Sequence, residues 1–328
     1  MKNLQLAIVL YALIAFALVS VVAFAIALAW GGPGTPAPMN SINDPFQSVD
    51  FSKLPPLKSY KGADGSDLYF REYVPTSDKQ EGSAVLIHGS SASSNSMHPM
   101  AMALSAAGVH VYALDVRGHG ASGPKGQIAF IGQLESDLQM FVQTIQPQRP
   151  SSLIGFSSGG GFVLRVAASD MQSSFDSYFL LSPFLGHKAP NYRPDSGGWV
   201  SAGVPRILAL SVLNAIGLRH WNDLPVTRFA LSEKAKIFLT PEYSFNLAMN
   251  FTPHQDYKLD FENAKGKMAI LAGDADEAFK TQELQAIVQG AGKDWSVQLL
   301  PGVGHIPLTL DPFALKTIVD MTMRMHYH

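Results

Sequence analysis

The hydrophobic pattern divides the chain into three parts. From Leu4 to Trp30 every position is apolar except Gln5 and Ser20. As a helix at about 1.5 Å per residue this run extends roughly 40 Å, enough to cross a ~30 Å hydrocarbon core with some tilt. Lys2 precedes it, and the nearest charges beyond it are Asp44 and Asp50. The positive-inside rule therefore predicts a cytoplasmic N-terminus and a large domain outside. Residues 4–30 are expected to be an uncleaved signal anchor. The rival is a removed signal peptide, because Ala27-Leu28-Ala29 has the form of a cleavage site. Gly31-Gly32-Pro33-Gly34-Thr35-Pro36-Ala37-Pro38 then breaks the helix, and residues 31–56 are expected to form a flexible Gly/Pro-rich linker.

From residue 57 the period changes. Leu57–Tyr60 and Asp67–Val74 predict an opening antiparallel pair around the turn Ala63-Asp64-Gly65-Ser66. Short apolar runs at Ser83–Ile87, Val109–Leu114, Ser152–Ile154 and Tyr178–Leu181 then alternate with helical stretches at Met97–Ala107, Leu134–Ile145 and Gly160–Ser169. Such alternation predicts a parallel sheet covered by helices. It stops at Pro183 and resumes with Lys267–Gly273 and Trp295–Leu300. The gap, about residues 184–265, is long enough for a cap of several helices. Its apolar residues include Trp199, Ile207, Leu210, Phe245 and Phe251. They either pack the cap onto the main domain or line a tunnel for an acyl chain, with some of them touching a membrane.

Composition narrows the choice of function. The chain has 328 residues, a net charge of −2 and 15% charged residues, with no basic stripe, so nucleic acid is not an expected partner. There are no cysteines, which excludes disulfides, a cysteine nucleophile and thiolate metal sites. The chain contains neither a G-x-x-x-x-G-K-[ST] loop nor a dense His/Asp/Glu cluster. Neither a cofactor nor a metal is expected. His326 and His328 are read as part of a solvated tail.

The chemistry collects at predicted strand ends. Gly155-Phe156-Ser157-Ser158-Gly159 has the form G-x-S-x-G between a strand and a helix, the context of a nucleophile elbow. A serine nucleophile needs a base, and the base needs an acid to orient it. His305 follows the last strand. Asp274 and Asp276 follow the strand before it, and either can serve as the acid. Upstream, His88-Gly89-Ser90 ends another strand, so the backbone N–H groups of Ser90 and Ser158 are candidate oxyanion donors. Arg117 and His119 lie in a Gly-containing turn and are read as scaffold, with Arg117 bracing the turn through a carboxylate.

These motifs together resemble the α/β-hydrolase superfamily. The matching pieces are His88-Gly89, Asp115-Val116-Arg117-Gly118-His119-Gly120-Ala121-Ser122, the serine pentapeptide, Gly273-Asp274-Ala275-Asp276 and Gly304-His305. Within it they look like the branch of monoglyceride lipases, lysophospholipases and serine aminopeptidase-type hydrolases. The resemblance covers about residues 57–325. It implies an α/β-hydrolase fold, with a mostly parallel sheet and a helical cap at about 184–265. It also implies a serine hydrolase with Ser157 as nucleophile, His305 as base and Asp276 as acid, since the family's acid takes the last position of G-x-x-D. A hydrophobic or lipid-like ester is the implied substrate; amide cleavage and acyl transfer are alternatives on the same fold. A non-catalytic, membrane-tethered binding protein is a further alternative, against which the occupation of all three triad positions argues. The chain departs from the monoglyceride lipases in the segment after His-Gly, which is small and polar here (Ser90 to Ser96).

Overall fold

The computed structural model describes residues 2–75 and 80–327. Among these residues eleven strands form two sheets. They are β1 (Leu57–Lys61), β2 (Asp67–Tyr73), β3 (Ser83–Ile87), β4 (His110–Leu114), β5 (Ser151–Phe156), β6 (Ser177–Leu181), β7 (Val200–Ala202), β8 (Pro225–Phe229), β9 (Glu242–Ser244), β10 (Lys267–Gly273) and β11 (Ser296–Leu300). The large sheet has the order β1-β2-β4-β3-β5-β6-β10-β11. Its opening strands pair antiparallel, Tyr60 opposite Leu68 and Phe70 opposite Leu114. The other six strands run parallel.

Burial follows from that arrangement. Strands β3, β5 and β6 are buried at every position, because helices cover both faces. Strand β1, at the sheet edge, buries only Tyr60. One face packs Phe141 and Phe162 from the helices Gln133–Ile145 and Ser158–Ala167. The other packs Met100, Leu104 and Ile318 from His98–Ala106 and Pro312–Tyr327. All six parallel strands point their carboxyl ends at one edge, and the loops carrying Ser90, Ser157, Asp276 and His305 gather there.

Three findings differ from the sequence expectations. The excursion between β6 and β10 is not purely helical. It holds the antiparallel sheet β7-β8-β9 as well as the helices Val204–Ala215, Glu233–Phe238, Phe245–Asn250 and Tyr257–Asn263. Strands of three to five residues are too short to show a period, and Val226 and Phe229 alone mark the buried face of β8.

The segment after Trp30 is also docked rather than loose. The Arg228 guanidinium donates to Thr35 Oγ1 at 3.0 Å, the Met39 N–H donates to Ala230 O at 3.1 Å, and Pro33 is buried. Prolines fix extended backbone, and extended backbone can lie against a surface as readily as it can span a gap.

His326, finally, is not a solvated tail residue. It is buried, with Nε2 2.8 Å from Ser152 Oγ and Nδ1 2.6 Å from Glu81 O. His328 lies outside the described residues.

Candidate active site

Ser157 occupies the turn between β5 and the helix Ser158–Ala167 with φ 56° and ψ −119°, in the positive-φ region that costs a non-glycine residue about 1–3 kcal/mol. The surroundings hold it there. Its N–H donates to Leu181 O at 2.9 Å, and its carbonyl accepts from Phe184 N at 3.0 Å and Gly161 N at 3.1 Å. The flanking glycines are required by close approach. A Cβ on Gly159 would lie 2.4 Å from the His88 carbonyl oxygen and 2.6 Å from that of Ile87. A Cβ on Gly155 would lie 2.2 Å from Gly159 O.

The Ser157 hydroxyl meets His305 Nε2 at 3.1 Å, and His305 Nδ1 meets Asp276 Oδ2 at 2.7 Å. Asp276 can only accept when ionised, so Nδ1 carries the proton and Nε2 is free to receive the serine's. Asp276 Oδ1 accepts two further bonds, from the N–H groups of Ala278 and Phe279, each 2.8 Å. Burial pushes the Asp276 carboxyl up, but His305 and the Phe279 N–H outweigh it and hold the carboxyl below its ordinary value. A carboxylate beside Nδ1 both orients the imidazole and stabilises its protonated form. Asp274 is placed differently: it is exposed, and its Oδ1 accepts from Gly302 N at 2.7 Å, closing the turn before His305.

Other residues complete the surroundings, and the sequence carries little signal for them. Glu277 accepts from the His305 N–H at 2.9 Å. Rings of Phe156, Phe279 and Trp199 lie 4.7, 5.0 and 5.1 Å from the His305 ring, keeping bulk water from the imidazole. Trp199 belongs to the cap, far from His305 in sequence, and no local pattern pairs them.

Ser90 and Ser158 both border the same cavity as Ser157 and His305, and their hydroxyls are 2.5 Å apart. The next residue, Ser91, is tied to the cap. Its N–H donates to Tyr243 Oη at 2.5 Å, its Oγ donates to Thr240 O at 2.5 Å, and its carbonyl accepts from Thr240 N at 2.8 Å. Tyr243 in turn reaches His119 Nε2 at 2.6 Å. His119 Nδ1 faces the carbonyls of Val116 and Arg117, so that nitrogen bears the proton and Nε2 accepts from the tyrosine. Burial pushes the His119 imidazole well down from its ordinary value, and neighbouring His88 adds to this. His88 is likewise held down by burial, donates from Nδ1 to Gly89 O and accepts from Val116 N. Both histidines therefore brace the loops as neutral rings. Arg117 braces its turn by a bidentate pair with buried Asp137, at 2.6 and 2.8 Å, and reaches Asp64 at 3.0 Å.

The site opens into a cavity of about 1190 Å³. Phe184, Trp199, Ile207, Phe229, Phe238 and Phe279 give it an apolar lining. Phe46, Phe51 and Leu54 from the docked segment contribute as well. An aromatic-lined space of this size suits an extended apolar group better than a small polar one.

Comparison with known proteins agrees with this architecture. A family model described as serine aminopeptidase, S33, matches residues 78–311. A monoacylglycerol lipase of Mycolicibacterium smegmatis is 33% identical over 114 residues, which is 34% of this chain and 40% of that protein. Among solved structures, a soluble variant of monoglyceride lipase from Saccharomyces cerevisiae superposes with a TM-score of 0.64 at 17% identity, covering 86% of this chain and 98% of the other. A bacterial membrane phospholipase A superposes with a TM-score of 0.56 at 17% identity, covering 100% of both chains. At such identities the structural matches show the α/β-hydrolase fold.

Proposed function

Because the chain belongs to the serine aminopeptidase, S33, family of α/β-hydrolases, we propose that it is a serine hydrolase of hydrophobic, lipid-like carboxylic esters, held at a membrane by the helix Lys2–Trp30. One observation carries the proposal: the hydrogen-bonded series Ser157–His305–Asp276 opens directly into an apolar cavity of about 1190 Å³. The monoacylglycerol lipase relative favours an ester over an amide.

In the proposed mechanism His305 Nε2 takes the Ser157 proton as Oγ attacks the ester carbonyl. The carbonyl oxygen becomes negative and points at the N–H groups of Ser90 and Ser158, each adjacent to a residue whose position is fixed. Asp276 stabilises the imidazolium. His305 then gives its proton to the departing alkoxide, leaving an acyl-Ser157 ester and a free alcohol. Water, activated by the now neutral His305, releases the carboxylic acid and restores the serine. The three rings around His305 keep bulk solvent out while these charges form.

The membrane reading rests on the apolar run Leu4–Trp30, which contains an 18-residue stretch with a mean hydropathy of 2.8. Two of its final carbonyls, Leu28 and Ala29, are bonded by Arg206 of the cap, which favours a retained helix over a removed signal peptide. Lys2 sets the N-terminus on the cytoplasmic side and the hydrolase domain on the other.

The test is turnover of a chain-length series of p-nitrophenyl esters by the full chain in detergent. Turnover should rise from short toward medium or long acyl groups and vanish in Ser157→Ala, which retains the fold. Undiminished turnover by Ser157→Ala, or a preference for aminoacyl amides, contradicts the proposal.

A further inference from the structure

The cap helix Val204–Ala215 has three distinct faces. Arg206, Ala209, Leu210 and Leu213 are buried. Ile207, Ser211 and Asn214 line the cavity. Val204, Leu208 and Val212, with Ile216 just beyond, form an outer row that is 54%, 61%, 56% and 68% exposed. The spacing of four places them along one side of the helix. The row carries no charge, because the helix's only charged residue, Arg206, is turned inward.

Arg206 joins this helix to the N-terminal one. Its Nε donates to Leu28 O at 2.8 Å, Nη2 to Ala29 O at 2.9 Å and Nη1 to Pro225 O at 2.8 Å. Leu28 and Ala29 belong to the last turn of Lys2–Trp30, where carbonyls have no donor within the helix and a cation suits the negative end of the dipole. The Arg206 N–H also donates to Gly31 O at 3.2 Å. Glycines make the approach possible. A Cβ on Gly32 would lie 2.4 Å from Arg206 Nη1, and a Cβ on Gly203 would lie 2.7 Å from the Gly32 carbonyl carbon.

The lengths fit a seat at a bilayer surface. Phe24, Ala27 and Leu28 are half-buried, with Phe24 and Leu28 packed on the main core cluster, which takes in Leu210 and Leu213 of the cap helix. From Phe24 to Trp30 the N-terminal helix rises about 9 Å at ~1.5 Å per residue. The whole run exceeds a ~30 Å hydrocarbon core by roughly the same amount. The cap thus flanks the part of the helix that emerges, and the uncharged outer row continues the apolar surface of the helix where it leaves the bilayer.

We propose that Val204, Leu208, Val212 and Ile216 form a lipid-contact surface lying in the bilayer interface, with Arg206 locking cap and anchor into one membrane-seated unit. This rests on the reading of Lys2–Trp30 as a membrane anchor. A single helix then separates lipid from cavity. A lipid-like ester can pass from the bilayer toward Ser157 around that helix without crossing bulk water. The occupant is lipid rather than a second copy of the chain, since the row borders a helix that would itself be embedded.

The absence of cysteine makes the test direct. Single-cysteine variants Leu208→Cys, Ile14→Cys and Lys316→Cys of the full chain are labelled with an environment-sensitive fluorophore. They are reconstituted in phosphatidylcholine vesicles with or without nitroxide-bearing lipid. The expected result is a blue shift and loss of fluorescence at 208, a deeper quench at 14 and no quench at 316. In a Leu208→Cys/Arg206→Gln background, quenching at 208 should fall while that at 14 persists. If 14 is quenched and 208 is not, the inference is overturned and the anchor stands. A signal at 208 that changes with protein concentration and not with nitroxide lipid assigns the row to a second copy and likewise overturns it. If neither 14 nor 208 is quenched, the anchor reading fails and the inference fails with it.

Discussion

Replacing Tyr243 by Phe removes one oxygen atom from a buried series of hydrogen bonds. The Tyr243 hydroxyl accepts from the Ser91 N–H at 2.5 Å and donates to His119 Nε2 at 2.6 Å. The ring itself is kept, and it packs against Phe229 and His119 at 4.8 and 5.1 Å. Ser91 and His119 are both buried, so neither freed group reaches water. Leaving a buried donor or acceptor unpaired costs about 1–3 kcal/mol each, which puts the expected loss of stability at about 2–6 kcal/mol. Activity should change as well, because Ser91 adjoins Ser90, a proposed oxyanion donor. Deleting an oxyanion donor costs about 10²–10³ in kcat, and displacing one should cost less, on the order of tenfold. Denaturant unfolding measures the first effect, and ester turnover, with kcat and KM separated, measures the second. KM should change little, since the substrate cavity keeps its lining. A stability change under about 0.5 kcal/mol together with an unaltered kcat would refute the idea that the cap fixes this loop through Tyr243.

Other expectations follow from the same geometry. Asp276→Asn should lower kcat by about 10⁴, whereas Asp274→Asn, altering an exposed turn, should leave kcat within a few-fold; the reverse order would move the acid to Asp274. Arg117→Ala should destabilise by about 3–5 kcal/mol in denaturant unfolding, because it strands the buried Asp137 carboxylate. Gly159→Ala should abolish soluble expression or activity, since its Cβ would meet backbone oxygens rather than a movable side chain. His88 and His119 are held below their ordinary value of 6.5 in the folded protein. The unfolded chain therefore binds protons first as pH falls through about 6.5. Stability is fully present above that pH and declines below it, by up to about 1.4 kcal/mol per pH unit for each histidine. A melting temperature constant from pH 7 to 5 would contradict this.

The sheet was legible because its central strands are buried on both faces and its crossover helices are regular, so period and burial agree from Ser83 to Leu181. The residues of the candidate site were legible for a related reason. Ser157, Asp276 and His305 each follow a strand, and a parallel sheet brings all such ends to one edge. Contacts made across the cap had no comparable signal. Tyr243 meets Ser91 and His119, and Trp199 meets His305, through pairings of short strands whose register no local pattern encodes. The segment after Trp30 reads as loose because glycine and proline disfavour regular structure. Its docking depends on what it meets, namely Arg206 and Arg228. His326 reads as tail because its partners, Ser152 and Glu81, lie far away in sequence.

The proposed function stands or falls on Ser157 as a nucleophile activated by His305 and Asp276. The most direct measurement is reaction of the full chain with a fluorophosphonate, followed by mass spectrometry of the peptides. One covalent adduct is expected, on Ser157. Labelling should be lost in Ser157→Ala and slowed strongly in His305→Ala. An unreactive wild-type protein, or an adduct on a different serine, would contradict it.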